Sequence, residues 1–456
     1  MGEFKLKKGY DIPIAGEAQL LLKEFPNPDR VALLPYEFRG IKPRLKVKLG
    51  DEVKVGSPLC EDKKIQEINL VSPVSGKVIE INRGERRMLM EIVVENDKQY
   101  TKQTFNNNVS GNIAEMPREK VIAALMESGL WPFIIQRPFE KVADPNDVPR
   151  DIFISAFNTA PLAATVEFLL DGKERSFQKG LEALKVLTDG KVHLSLNGGK
   201  QEHGKALDDA DGVEKHYFSG PHPAGNVGVQ IHHIAPINQG DIVWTVKPEA
   251  VALIGEFFET GVYPNEKIIA VAGSPLKETY YAKTINGAGI SAIIAPDNVK
   301  NDEVRYINGD VLTGFKVNAE SYIGTYNSLL SIIPEGKKKR RLLGYFRLGM
   351  DIPSYSKTFL SSWLTSKKKK WELNTLNYGA QRAFIQTGVY EKVMPMDILP
   401  SILAKSILAE DIEEMENLGI LELTEEDVAL CTYICPSKTD FGGILRHGLD
   451  LVEKEG

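Results

Sequence analysis

Between residues 117 and 258 strand signals and helix signals take turns, and this alternation restricts the fold more than any other feature of the chain. Pro117 to Ser128 reads as a helix, with proline in its first turn and Gly129 as its stop. Asp151 to Phe157 is an apolar run of buried-strand length. Helical stretches are predicted at 161–170 and 177–188, the second ended by Asp189 and Gly190. Val192 to Leu196 and Ile242 to Val246 read as strands, and Pro248 opens a helix over 249–258. Strands joined through helices imply a mostly parallel, Rossmann-like sheet.

The flanks have other textures. The first hundred residues are turn-rich and strand-like, punctuated by Gly40, Gly50, Gly56 and Pro58. The run Val47 to Gly56, followed by Ser72 to Val78, resembles a biotinyl/lipoyl-type β-sandwich. Such domains present a modifiable lysine on a hairpin, and Lys63 and Lys64 lie between the two runs. The spacing to the Ser-Pro pair is longer than in a carrier, so an unmodified scaffold is expected. Residues 259–335 read as a small β-grasp (SLBB-like) unit, with a strand at Lys267 to Ala272 and a short helix from Gly287 to Ala295 stopped by Pro296. The last section is helical: Asp397 to Leu418, then Thr424 to Cys435 with Thr424 and Asp427 spaced as a capping box and Pro436 closing it. The expected fold is therefore multidomain α+β/α/β. It comprises a β-sandwich in 1–105, a Rossmann-like domain in 106–258, the β-grasp domain in 259–335, and a basic segment plus ferredoxin-like helical domain without a cluster in 336–456.

Several function classes fall away. The longest stretch free of Asp, Glu, Lys and Arg, His216 to Gly240, is broken by prolines, glycines and histidines and is not a membrane span. No apolar run precedes Pro13, so no secretory signal is expected. Three cysteines fit a reducing compartment. A net charge of −6 argues against nucleic acid as a partner.

Nucleotide motifs are weak or missing. Gly287-x-Gly289-x-x-Ala292 has the letters of a dinucleotide fingerprint, but Pro296 leaves about two helical turns. A turn inside the β-grasp unit is the better reading. Cys431 and Cys435-Pro436 match the end of a ferredoxin run, yet the two earlier ligand positions hold Glu425 and Val428. No metal is expected there. The stretch Ser219 to Gly228 has three glycines and two prolines and reads as a shaped contact loop. Its His222 and Gly225, with His232 and His233 just beyond, are candidate ligand or interface residues. The adjacent pair His232-His233 is expected on a strand, facing opposite sides.

Charge is distributed unevenly. From Lys337 to Trp371 there are eleven basic residues against one acid, Asp351. They include Lys337, Lys338, Lys339, Arg340, Arg341 and the run Lys367, Lys368, Lys369 and Lys370, interleaved with Tyr355, Phe359 and Trp363. Basic and aromatic side chains together suit an anionic membrane interface or docking on an integral-membrane partner. Glu410 to Asp427 holds nine acids and no base, which reads as a solvated helical face.

Four long words carry a family resemblance: Lys7 to Gly16 (KKGYDIPIAG), Phe218 to Gly228 (FSGPHPAGNVG), Val389 to Pro400 (VYEKVMPMDILP) and Ala429 to Pro436 (ALCTYICP). They resemble component A (NqrA) of the Na⁺-translocating NADH:quinone oxidoreductase (Na⁺-NQR), a bacterial respiratory pump of six subunits. The resemblance implies a complex that uses NADH, flavins, iron–sulfur centres and a quinone (ubiquinone or menaquinone), and that exports Na⁺. It implies that this chain binds no redox cofactor and is not catalytic in isolation. It further implies a peripheral position on the cytoplasmic side of the inner membrane, against the membrane-embedded component B, with the quinone site nearby. The resemblance extends to the fold of the ferredoxin-reductase-type subunit of the Rnf complex and the flavin-binding subunit of complex I. The competing expectation is a stand-alone flavin- or NAD-dependent oxidoreductase, against which the missing glycine fingerprints count.

Overall fold

The computed structural model describes residues 2–105, 112–300, 303–336, 349–350, 352–366, 368–377, 379–385 and 387–455. At its centre is a seven-stranded sheet in the order Gly2–Lys5, Glu214–Ser219, Val192–Asn197, Ile152–Ser155, Val243–Thr245, Ile135–Arg137 and Lys141–Val142. The first five strands pair in parallel, as the alternating pattern requires. Ile135–Arg137 pairs antiparallel with Val243–Thr245, and Lys141–Val142 antiparallel with Ile135–Arg137. Ile152, Phe153 and Ile154 are buried, as expected of a strand covered on both faces.

Helices cover the sheet. Arg118–Ser128 stops at Gly129, which takes a left-handed φ of 78° and donates its N–H to the carbonyls of Leu125 and Met126. Glu174–Val186 and Pro248–Thr260 lie against one another so closely that a Cβ on Gly180 would sit 1.9 Å from the Val251 carbonyl oxygen. A Cβ on Gly255 would sit 1.7 Å from the Ser176 carbonyl oxygen. Only glycine permits this backbone contact.

Two packed sheets form the N-terminal barrel-sandwich. One is Arg30–Leu33, Leu89–Asn96, Gly76–Arg83 and Glu52–Val53; the other is Pro43–Leu45, Pro58–Asp62 and Asn69–Val71. Lys63 and Lys64 are exposed on the turn that follows Asp62. The third unit is a six-stranded mixed sheet, ordered Phe315–Val317, Val304–Asn308, Leu329–Pro334, Glu266–Ala272, Tyr280–Ile285 and Leu22–Glu24. The short helix Ile290–Ile293 buries Ile290 and Ile293 against it. Four helices close the chain: Pro400–Leu408, Ile412–Asn417, Glu425–Ile434 and Phe441–Glu455.

Several elements depart from the sequence reading. The helix expected at 161–170 shortens to Val166–Leu169, because Leu162 sits at a φ of 62° that an α-helix does not admit. The helix expected from Asp397 to Leu418 breaks at Glu410, which has a φ of 56°. Asp411 then caps the second piece by accepting from the Glu414 N–H. His232 and His233 lie on the helix Val227–Ile234, not on a strand. Gly2–Lys5 and Leu22–Glu24 join the edges of two sheets whose other strands come from far along the chain, parallel to Glu214–Ser219 and Tyr280–Ile285. Pairing across more than 200 residues leaves no local trace.

Candidate functional site

A cleft of about 290 Å³ opens at the carboxyl ends of the parallel strands, where open α/β sheets collect ligands. The segments that follow Ile152–Ser155 and Val243–Thr245 supply Phe157, Asn158, Val246 and Lys247 to its wall. The loop after Glu214–Ser219 supplies His222, Gly225 and Asn226. The β-grasp sheet closes the opposite side with Lys267, Ile268, Asp310 and Thr325 to Ser328. Val166, Leu169, Leu253 and Leu312 give the cleft an apolar surface.

His222 is held firmly within this wall. Its backbone N–H donates to Asp11 Oδ1 at 2.8 Å, and its carbonyl accepts from the Tyr10 N–H at 2.8 Å. Its Nδ1 lies 3.1 Å from Thr159 Oγ1, while its buried Nε2 has no partner among the described residues. Burial lowers the imidazole's pKa, so the ring is neutral at neutral pH and Nε2 is free for one hydrogen bond. Gly225 has a different task. A Cβ there would stand 2.4 Å from the Phe157 carbonyl oxygen, so the residue lets the loop pack onto the strand end.

The sequence reading missed the charged groups of the cleft. Arg137 is 2% exposed and reaches Glu426 Oε1 at 3.0 Å, Thr424 Oγ1 at 3.2 Å and Asp427 Oδ2 at 3.4 Å. Burial, reinforced by Asp427, pushes the Glu426 carboxyl up to about 8 against the pull of Arg137. Burial pulls the Lys267 ammonium down to about 8, opposed by Glu37. Its Nζ donates to the carbonyls of Gly324 and Thr325 at 2.9 and 2.6 Å. A site that contains proton-holding groups near neutrality and an apolar wall can bind a flat molecule with polar oxygens and exchange protons with it. Nothing near Arg137 or Lys267 in sequence marks them, since the partners come from residues 424–427 and 324–325.

The other histidines lie elsewhere. His232 Nδ1 is 2.8 Å from Glu422 Oε2, and its Nε2 accepts from the Asp397 N–H at 3.1 Å. His233 Nδ1 is 2.9 Å from the Val229 carbonyl oxygen. Both border a shallow surface groove with Lys5 to Lys8 and Pro395 to Asp397, away from the cleft. In the acidic run Glu410, Asp411, Glu413 and Glu414 are exposed, as the sequence reading expects, whereas its last three acids face arginines. Glu425 pairs with Arg39 and Arg446, while Asp427 and the Glu426 carboxyl meet Arg137. Gly287 forms a turn whose carbonyl accepts from the Ala32 N–H of the barrel-sandwich at 2.9 Å. Cys431 and Cys435 are buried, with Cys435 Sγ 3.1 Å from the Tyr390 hydroxyl and accepting from the Thr439 N–H.

Lys337, Lys338, Lys339, Arg340, Arg341 and Lys367 lie outside the described residues. Lys368, Lys369 and Lys370 are exposed. Beside them the one-turn helix Ser361–Leu364 leaves Trp363 74% and Leu364 67% exposed. Trp371 is buried and anchors this flank: its N–H donates to the Pro13 carbonyl, its carbonyl accepts from the Ala15 N–H, and Lys369 Nζ stands 3.9 Å over its ring. No helix among the described residues is long and apolar enough to cross a membrane.

Residues 4–97 match the family described as NqrA N-terminal barrel-sandwich hybrid domain, 116–263 the NqrA second alpha/beta domain, and 268–319 the NQRA C-terminal domain. The chain is 38% identical over 456 residues to component A of the Na(+)-translocating NADH-quinone reductase of Marinomonas sp. (strain MWYL1), covering 99% of this chain and all of that one. The chain belongs to the NqrA family. Its counterpart in Neisseria meningitidis serogroup B is likewise 38% identical, covering 99% of this chain and all of the relative. That of Vibrio anguillarum is 37% identical over 454 residues, covering 99% of each chain. Among solved structures, an NAD⁺-reducing [NiFe]-hydrogenase aligns with a TM-score of 0.39 and 10% identity, over 77% of this chain and 63% of the other. The barrel-sandwich, α/β and SLBB-type units of this fold are the domains of the NqrA family.

Proposed function

We propose that this chain is the peripheral component A of a Na⁺-translocating NADH:quinone reductase, which oxidises NADH, reduces ubiquinone or menaquinone and exports Na⁺. The observation that carries this reading is identity near 38% along the entire length of relatives that bear this name. In this reading the flavins and iron–sulfur centres belong to other subunits, and this chain binds none. It sits on the cytoplasmic side of the inner membrane against the membrane-embedded component B, with Lys337 to Arg341, Lys367 to Lys370 and the exposed Trp363 as its docking flank. Boundaries near 105, 258 and 335 divide the chain, the first residues lending edge strands to the two later sheets.

The cleft is the proposed place for the quinone ring. A quinone offers two carbonyl acceptors on a flat apolar ring, and the cleft offers, beside an apolar wall, a buried imidazole whose Nε2 has no partner among the described residues. As a donor to a quinone carbonyl, His222 would contribute about 1 kcal/mol. Titration of the purified full chain with a short-tailed quinone tests this. The His222→Phe variant is expected to bind about threefold to tenfold more weakly. Equal binding by both chains would exclude the cleft as the quinone site.

A further inference from the structure

We propose that His193, Glu214 and His216 form a binding site for a divalent transition-metal ion of the Zn²⁺ class, at the end of the central sheet opposite the cleft. Val192–Asn197 and Glu214–Ser219 pair in parallel with His193 opposite Glu214 and Ser195 opposite His216. Side chains alternate across a sheet, so residues 193, 214 and 216 share one face. His193 Nδ1 lies 3.0 Å from His216 Nε2 and 3.8 Å from Glu214 Oε2, and the three donor atoms all lie within 4.8 Å of one another. A tetrahedral ion with ligands at about 2.0–2.1 Å sets its donor atoms roughly 3.4 Å apart. These separations bracket that value, and small side-chain rotations close the difference.

The surroundings support a ligand role. His193 is stacked on Phe153, with ring centroids 4.6 Å apart and planes at 18°, which fixes its orientation. Its second nitrogen, Nε2, faces Asp151 Oδ1 at 3.6 Å, the carboxylate-behind-imidazole arrangement that orients metal-ligating histidines. Both imidazoles are buried, and His216 Nδ1 has no partner among the described residues. Glu214 directs Oε1 to Lys191 and keeps Oε2 for the ion. With 37% of its side chain exposed, it also offers the path of entry. Two imidazoles and one carboxylate select zinc-like ions over Mg²⁺ or Ca²⁺ and leave a fourth position for water.

The test is titration of the metal-stripped full chain with Co²⁺ and Zn²⁺. One Co²⁺ per chain is expected, with the visible absorption of a tetrahedral site, displaced by one Zn²⁺. Glu214→Gln is expected to weaken binding at least about tenfold, and Asp151→Asn about tenfold to a hundredfold. Sub-stoichiometric binding, or Glu214→Gln and His216→Asn variants that bind like the parent, would overturn the proposal. If His216→Asn disrupts the sheet, the solvent-reaching Glu214→Gln and the parent's Co²⁺ spectrum still decide.

Discussion

Glu425 accepts from two guanidinium groups that arrive from opposite parts of the chain. Arg39, beside the barrel-sandwich, donates from one nitrogen at 2.9 Å, and Arg446 of the last helix donates from Nε at 2.7 Å. Burial alone would raise the carboxyl, but the paired arginines outweigh it and hold Glu425 at about 2. A depressed folded-state pKa gives stability that is present above the ordinary value near 4.5 and is lost as pH falls towards 2. Glu425→Gln should therefore cost about 1.5–3 kcal/mol at pH 7 in denaturant unfolding. The difference from the parent should shrink steadily below pH 4.5. A constant difference down to pH 2.5 would contradict this account.

At the scale of elements, two features join the packing to the cleft. The helices Glu174–Val186 and Pro248–Thr260 touch backbone to backbone at Gly180 and Gly255. Pro248, at the start of the second helix, lines the cleft. A methyl group at Gly255 has no room, so Gly255→Ala is expected to force the helices apart and lower stability by about 1–3 kcal/mol, read as a fall in Tm. The second feature is the capping box at Thr424. Its hydroxyl and Asp427 satisfy the first turn of Glu425–Ile434 and also receive Arg137. Thr424→Ala is expected to cost about 1 kcal/mol from the cap, and more from the partner removed from a buried arginine. Denaturant titration checks this value.

At the scale of the whole molecule, the exposed Lys368, Lys369 and Lys370 lie beside the exposed Trp363 and Leu364, while the cleft and the His193 cluster occupy the two ends of the central sheet. Replacing Lys368, Lys369 and Lys370 together by Gln is expected to weaken attachment to membranes that carry the rest of the complex. The scale is about 1 kcal/mol per lysine at an anionic surface, and raised salt should remove most of the remainder. Flotation or pull-down measurements that show no change would rule this flank out as the docking surface. The strands Ile152–Ser155, Val192–Asn197 and Val243–Thr245, the helix Pro248–Thr260, the stop at Gly129, the cap at Thr424 and Asp427, and the shaped loop around His222 were legible in the residues. Each rests on chemistry within a few positions of itself: a hydrophobic period, a glycine φ, a side chain reaching its own backbone. The edge strands Gly2–Lys5 and Leu22–Glu24, the burial of Arg137 and Lys267, the ion pairs of the acidic run and the meeting of His193 with His216 were not legible. They depend on contacts between residues tens to hundreds of positions apart, and such contacts exist only once loop closure has brought the strands and helices together.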